Sequence, residues 1–148
     1  MKWEWEFQAN AFCDSYYTEA EKKKYWITHK WMIRKTPAHC TYWSIWYGTK
    51  SYQWEVITYN EAIRRKKEDL RRRDKLITSK CLTDNQRIAT VDFMYQHGVN
   101  SSKIKYKANN CKKTQLFFTI AWWRDEYKRQ QKWWMVKREQ ARLNIFYK

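Results

Sequence analysis

Residues 102–123, SKIKYKANNCKKTQLFFTIAWW, decide how this chain is read. At a two-residue period, Lys103, Lys105 and Lys107 line one side of a strand, and Ile104, Tyr106 and Ala108 line the other. On the same period Leu116, Phe118, Ile120 and Trp122 face a core, which leaves Phe117 and Thr119 on the outer face beside the lysines. The polar NNCKK between the two runs then serves as the turn of a hairpin. A sheet face that mixes a row of cations with an exposed aromatic suits single-stranded nucleic acid, because phosphates take the charges and bases stack on rings. Lysines along an edge strand are also a guard against edge-to-edge aggregation, and the pattern fits that role equally.

Downstream, residues 124–143, RDEYKRQQKWWMVKREQARL, have the composition of one long helix. On a helical wheel Trp123, Tyr127, Trp134, Ala141 and Ile145 fall in a narrow stripe suited to the core. Arg124, Lys128, Arg129, Lys132 and Arg142 occupy the opposite face, and Trp133 lies off the stripe beside Lys137, placed for stacking or a cation–π contact.

Upstream, residues 62–77, AIRRKKEDLRRRDKLI, hold eight cations in sixteen positions. Acids placed four residues ahead of arginines (Glu61 with Arg65, Glu68 with Arg72, Asp69 with Arg73) answer much of that charge within a helix. Asn60 stands where a cap is needed, and Tyr59, Ile63, Leu70 and Ile77 form a thin apolar stripe. Thr83 with Gln86 has the spacing of a capping box for a helix ending before Gly98, although Ala89, Val91, Phe93 and Tyr95 also alternate as in a strand.

Towards the start, Trp3, Trp5 and Phe7 alternate with Glu4, Glu6 and Gln8, and YWITHKWMI at 25–33 repeats strand chemistry after a short helix capped by Thr18 and Glu21. HCTYWSIWY and SYQWEVITY flank Gly48 as a second hairpin. The order of strands, helices, strands and a final helix predicts an α+β fold in a single domain, residues 1–148: a mostly antiparallel sheet with two or three helices packed on one face.

Charge sets the class of partner. Lys and Arg number 31 against 15 Asp and Glu, a net charge of +16. The excess is uneven: +3 over residues 1–50, +3 over 51–100 and +10 over 101–148. Nucleic acid, an anionic membrane surface or an acidic protein would complement it. Leu, Ile, Val and Phe are scarce, but 11 Trp and 11 Tyr supply large burial per residue and favour a folded chain over a disordered one. Gly occurs twice and Pro once, so turns are poorly marked.

The four cysteines, Cys13, Cys40, Cys81 and Cys111, have neither zinc spacing nor a dense disulfide pattern and are expected as free thiols. With no signal peptide and no transmembrane segment, the expected setting is intracellular, cytoplasmic or nuclear. His29, His39 and His97 lack metal-ligand spacing, and no Gly-rich loop cradles a phosphate, so neither a metal nor a cofactor is expected. His39 beside Cys40 is unsuited to activate it, since neighbours on a strand face opposite ways. Asp14, Glu21 and Lys23 have spacing too short for a metal nuclease, and Asp92, Asp125 and Glu126 read as helix-stabilising acids.

The expected function is therefore non-enzymatic, sequence-tolerant binding of RNA or single-stranded DNA. The surface expected to carry it is Lys103, Lys105, Lys107, Phe117, Arg124, Lys128, Arg129, Lys132, Trp133, Lys137 and Arg142. Two alternatives stand beside it: a membrane-surface or protein-interaction module using the basic C-terminal helix, and a folded chain with no selected function.

Overall fold

A computed structural model describes residues 10–28, 32–45 and 49–148. The strand expected at Trp3–Phe7 and the loop around Gly48 lie outside the described residues, as do His29 and Trp31. The chain divides into two compact units, Met1–Lys67 and Glu68–Lys148, with the boundary inside a helix.

In the first unit, β1 (Phe12–Cys13) pairs antiparallel with β2 (Trp43–Ile45), which pairs antiparallel with β3 (Thr49–Ser51). The hairpin read around Gly48 is present, but its second strand stops at Ser51. Tyr52, Trp54 and Val56 are exposed instead of alternating into a core. Helix α1 (Glu19–Lys24) begins on the expected capping box, in which Thr18 accepts from the Glu21 N–H and the Glu21 carboxylate accepts from the Thr18 N–H. The apolar centre is small: Ile45, Ile57 and Ala62, with Ala11 and Ile63 against them.

Charge pairs supplement this centre. Buried Glu55 accepts from Arg65 at 2.6 Å and from the Ser51 hydroxyl at 2.5 Å, and buried Lys35 donates to Glu21 at 2.5 Å. The Lys35 hydrogen bond, followed by the Thr18 N–H, draws the Glu21 carboxyl down from 4.5 to about 2.

Helix α2 (Tyr59–Asp74) carries the arginine run. Its cap is Thr58, whose hydroxyl accepts from the Glu61 N–H at 3.2 Å, two positions ahead of the expected Asn60. The pairs Glu61–Arg65 and Asp69–Arg73 form as read, whereas Arg72 lies against Asp69 at 3.6 Å. Tyr59 is exposed, and Ala62 takes the buried position in the first turns.

The second unit is helical. It comprises the last turns of α2, α3 (Asp84–His97), α4 (Ile104–Asn109), α5 (Lys113–Arg129) and α6 (Trp133–Phe146). The Thr83–Gln86 capping box opens α3, and Gly98 at φ 88° closes it, so the helical reading of 84–97 holds. The core contains Ile77, Ala89, Phe93, Met94, Ile104, Ala108, Leu116, Ile120, Leu143 and Phe146.

The fold is thus mostly helical with one small three-stranded sheet, not the sheet-dominated α+β arrangement expected from the sequence. The hairpin of residues 102–123 does not exist: α4 and α5 stand in its place. Leu116, Thr119, Ile120 and Tyr127 are the buried positions of α5, the three- and four-residue spacing of a helix. The single helix read over 124–143 is broken between Arg129 and Trp133, where Gln131 takes a left-handed conformation at φ 55°.

The thiols are not free. Cys13 is bonded to Cys40 and Cys81 to Cys111, closing loops with sequence separations of 27 and 30. In the chain-entropy account each closure disfavours the unfolded state by about 3.5 kcal/mol. No helix among the described residues is long and apolar enough to cross a membrane.

Six non-glycine residues among those described, Trp26, Trp54, Ser102, Lys103, Cys111 and Gln131, have positive φ. Each costs roughly 1–2 kcal/mol relative to an unstrained turn. Replacing the exposed Gln131 with Gly is expected to raise stability by about 1 kcal/mol in denaturant unfolding. A decrease would show that the Gln131 side chain, not its backbone, sets the α5–α6 turn. A second expectation concerns acid. A carboxyl held below its ordinary value stabilises the fold above pH 4.5 and loses that contribution as pH falls towards 2. Lys35→Met should therefore flatten the stability–pH curve in that window, with little change in its slope at higher pH.

Candidate nucleic-acid interface

Helix α4 follows a tight turn at Ser101–Lys103, in which Ser102 (φ 49°) and Lys103 (φ 55°) are both left-handed. Two buried anchors, Ile104 and Ala108, lie four residues apart and fix which side of α4 faces the core. Lys103, left-handed just before the helix, lines one concavity with Lys105, while Lys107 lines another. The single row of three lysines read from the sequence is therefore corrected to two separate sets.

Lys107 sits where α4 meets α5. Its ammonium donates to Thr119 Oγ1 at 2.7 Å, and it lines a cavity of about 450 Å³ with Ser102, Gln115, Phe118, Thr119 and Trp122. Burial, then the positive charges of Lys103 and Lys112, lowers the Lys107 pKa below the ordinary lysine value. An anion brought into the cavity would relieve that repulsion. Phe118 and Trp122, one turn apart on α5, are 63% and 58% exposed and form an aromatic wall. The exposed stripe continues along α5 from Gln115 through Phe118 and Trp122 to Asp125 and Arg129.

A second concavity, of about 520 Å³, lies on the other flank of α4. Lys103, Lys105 and Tyr106 line it with Asn100, Asn109 and Asn110. Tyr106 is exposed, and the Lys112 ammonium lies 4.8 Å from its ring centre. Lysines and accessible rings thus alternate across both flanks of one short helix.

The remaining residues expected at an interface scatter. Phe117 is half-buried and packs against Phe146 and Tyr147, so it is part of the core edge, and the exposed ring is its neighbour Phe118. Arg124 bridges Asp125 at 2.9 Å and Gln140 at 3.0 Å, tying α5 to α6. Arg129 pairs with Glu126, and Lys132 lies 5.9 Å from the Tyr127 ring centre. Lys128, Lys137 and Trp133 are exposed, whereas Ala141, expected in the core stripe, is exposed too.

Arg142 departs furthest from expectation. Instead of facing solvent it is buried, donating to Asp92 Oδ2 at 2.6 Å, to the Asp92 carbonyl at 3.1 Å, to Gln96 at 2.7 Å and to Glu139. Glu139, fully buried, also meets His97 Nε2 at 2.9 Å, and the His97 ring stacks on Phe93 at 4.2 Å. Burial alone would raise the Asp92 carboxyl, but the charges of Arg142 and Arg138 and their hydrogen bonds outweigh it and hold the pKa below the ordinary value. No spacing rule would have found this cluster, because it joins Asp92, Gln96 and His97 to Glu139 and Arg142, and the bonds between the two groups span 42 to 50 residues.

The side chains weighed for catalysis have partners within the fold. Cys40 is bonded to Cys13, and His39 Nδ1 lies 2.7 Å from the Tyr17 hydroxyl. Asp14 accepts from Ser44 at 3.1 Å, and Asp125 pairs with Arg124. Among the described residues no group of three or more His, Cys, Asp or Glu side chains is placed to hold a metal ion. No protein-family model, curated protein or solved structure matches this chain.

Removing the Arg142 side chain strips the fully buried Glu139 of its guanidinium and leaves the half-buried Asp92 with Arg138 alone. Arg142→Ala is expected to cost about 3–5 kcal/mol in denaturant unfolding. Arg129→Ala, which loses a single pair whose guanidinium is exposed, is expected to cost about 1 kcal/mol or less. Equal effects would mean that the buried cluster carries no special weight.

Proposed function

We propose that the chain is a non-enzymatic, sequence-tolerant binder of single-stranded nucleic acid, RNA or DNA, acting through the two flanks of α4 and the exposed face of α5. The observation that carries this reading is the wall of Phe118 and Trp122 beside the partly buried Lys107, with Lys103 and Lys112 close enough to act on its charge. Rings of this size stack on any base, and each stacked base is worth about 1–3 kcal/mol by alanine substitution. The lysines meet phosphates, whose affinity falls steeply with salt.

The rival reading, a membrane-surface helix, needs the C-terminal aromatic stripe to be free. Tyr127 is buried and Trp123 packs on His97 and Tyr127, so that stripe is already occupied, which favours the nucleic-acid reading. The two disulfides fit an oxidising compartment better than the reducing cytosol, and the oxidised protein is the form to test.

The test is a fluorescence titration against a short single-stranded RNA, a DNA duplex of equal charge and heparin at near-physiological salt. The single strand should win by at least tenfold. Phe118→Ala with Trp122→Ala should erase that preference while leaving heparin affinity unchanged. Lys103→Gln with Lys107→Gln should instead reduce the steepness of the log K against log salt plot by roughly 1.4, about 0.7 for each phosphate no longer neutralised. Equal affinity for all three polyanions, insensitive to removal of the two rings, would refute the reading.

A further inference from the structure

A larger cavity in the helical unit, of about 750 Å³, is bounded by α2, α3 and α6 and has no part in the interface above. Its apolar lining is aliphatic throughout: Leu70, Ala89, Val91, Ala141 and Ile145, with Ile88 exposed at its edge. Size and lining match what encloses a small organic molecule, which needs apolar walls and a few placed polar groups.

The charged lining leaves one group unanswered. Arg138 and Arg142 are both held by Asp92, at 3.3 Å and 2.6 Å. Arg87 is held by Asp74 through its carboxylate at 2.5 Å and its carbonyl at 2.8 Å. Asp84 stands in the first turn of α3, where the helix N-terminus complements its charge. Arg71 also lines the cavity, is exposed, and pairs with no described residue. The walls therefore offer aliphatic contact and one guanidinium open to a ligand, a group that binds carboxylates by two parallel hydrogen bonds.

We propose that this cavity binds an amphiphilic organic monoanion, an aliphatic chain ending in one carboxylate, with the chain against Leu70, Val91, Ala141 and Ile145 and the carboxylate on Arg71. A cationic amphiphile would meet Arg71 and the neighbouring arginines and be rejected. A dianion would exceed the single unanswered charge. The site is independent of the nucleic-acid reading, since it shares no lining residue with the α4 flanks.

The experiment titrates the oxidised full chain with decanoate, decanol and decylammonium, below their aggregation limits and at near-physiological salt. Calorimetry is read alongside methyl NMR. Decanoate should bind one to one, at least tenfold tighter than decanol, with decylammonium silent. The methyl groups of Leu70, Val91 and Ile145 should shift, and those of Ile104 and Ile120 should not. Arg71→Gln should weaken decanoate about tenfold, and Ala141→Trp, which fills the cavity from an exposed position, should abolish binding. The wild-type methyl map stands whether or not that last variant folds. Displacement of decanoate by single-stranded RNA would place the anion on the lysine surface and overturn the proposal. So would equal binding of decanol or decylammonium, or methyl shifts outside the cavity.

Discussion

The helical unit depends on Arg142. A guanidinium buried without partners would cost several kcal/mol, and here it is surrounded by the Asp92 carboxylate and carbonyl, Gln96 and Glu139. These bonds join α3 to α6 at a fixed register, because a shift of one residue on either helix would leave a charge unpaired. His97 extends the cluster from Glu139 to the Phe93 ring, linking the polar seam to the apolar core beside it. The second oxygen of Glu139 has no partner among the described residues, so the cluster is not fully satisfied. Apolar packing alone would have allowed these helices more freedom, since aliphatic contacts are not directional.

Why the sequence misled at residues 102–123 follows from arithmetic of period. Positions four apart lie on one side of both a strand and a helix, so Leu116 and Ile120 are buried in either reading, as are Ile104 and Ala108. The readings part only at the positions between. Phe118 and Trp122, core residues of a strand, become the exposed wall of a helix, and Lys107 parts from Lys103 and Lys105. The fold error and the site error are one error: the aromatics that build the candidate interface are the ones a strand would turn inward.

Where a local rule had a local physical cause, the sequence was legible. Both capping boxes formed because Thr and its partner three residues on bond to each other's backbone. The expected pairs Glu61–Arg65 and Asp69–Arg73 on α2 formed for the same local reason, since residues four apart on a helix are neighbours. Relations across the chain were not legible. The disulfides join residues 27 and 30 apart with no compact spacing, and the break between α5 and α6 falls at Gln131, with no glycine to announce it. A chain with two glycines must place ordinary residues in left-handed turns, and those turns leave no compositional trace.

Arginine and lysine divide the charge between them, and the division bears on function. The acids of the helical unit are taken mainly by arginines: Asp69 by Arg73, Asp74 by Arg87, Asp92 by Arg138 and Arg142, Asp125 by Arg124, Glu126 by Arg129. The planar guanidinium fork suits carboxylates better than an ammonium does. Much of the charge left facing solvent is lysine charge, at Lys75, Lys80, Lys103, Lys105, Lys128 and Lys137. Ammonium groups on flexible stems attract phosphates without fixing their geometry, so an electrostatic affinity built on them would be tolerant of sequence and sensitive to salt. On the proposed reading, discrimination among polyanions would fall to Phe118 and Trp122, whose exposed rings carry no charge.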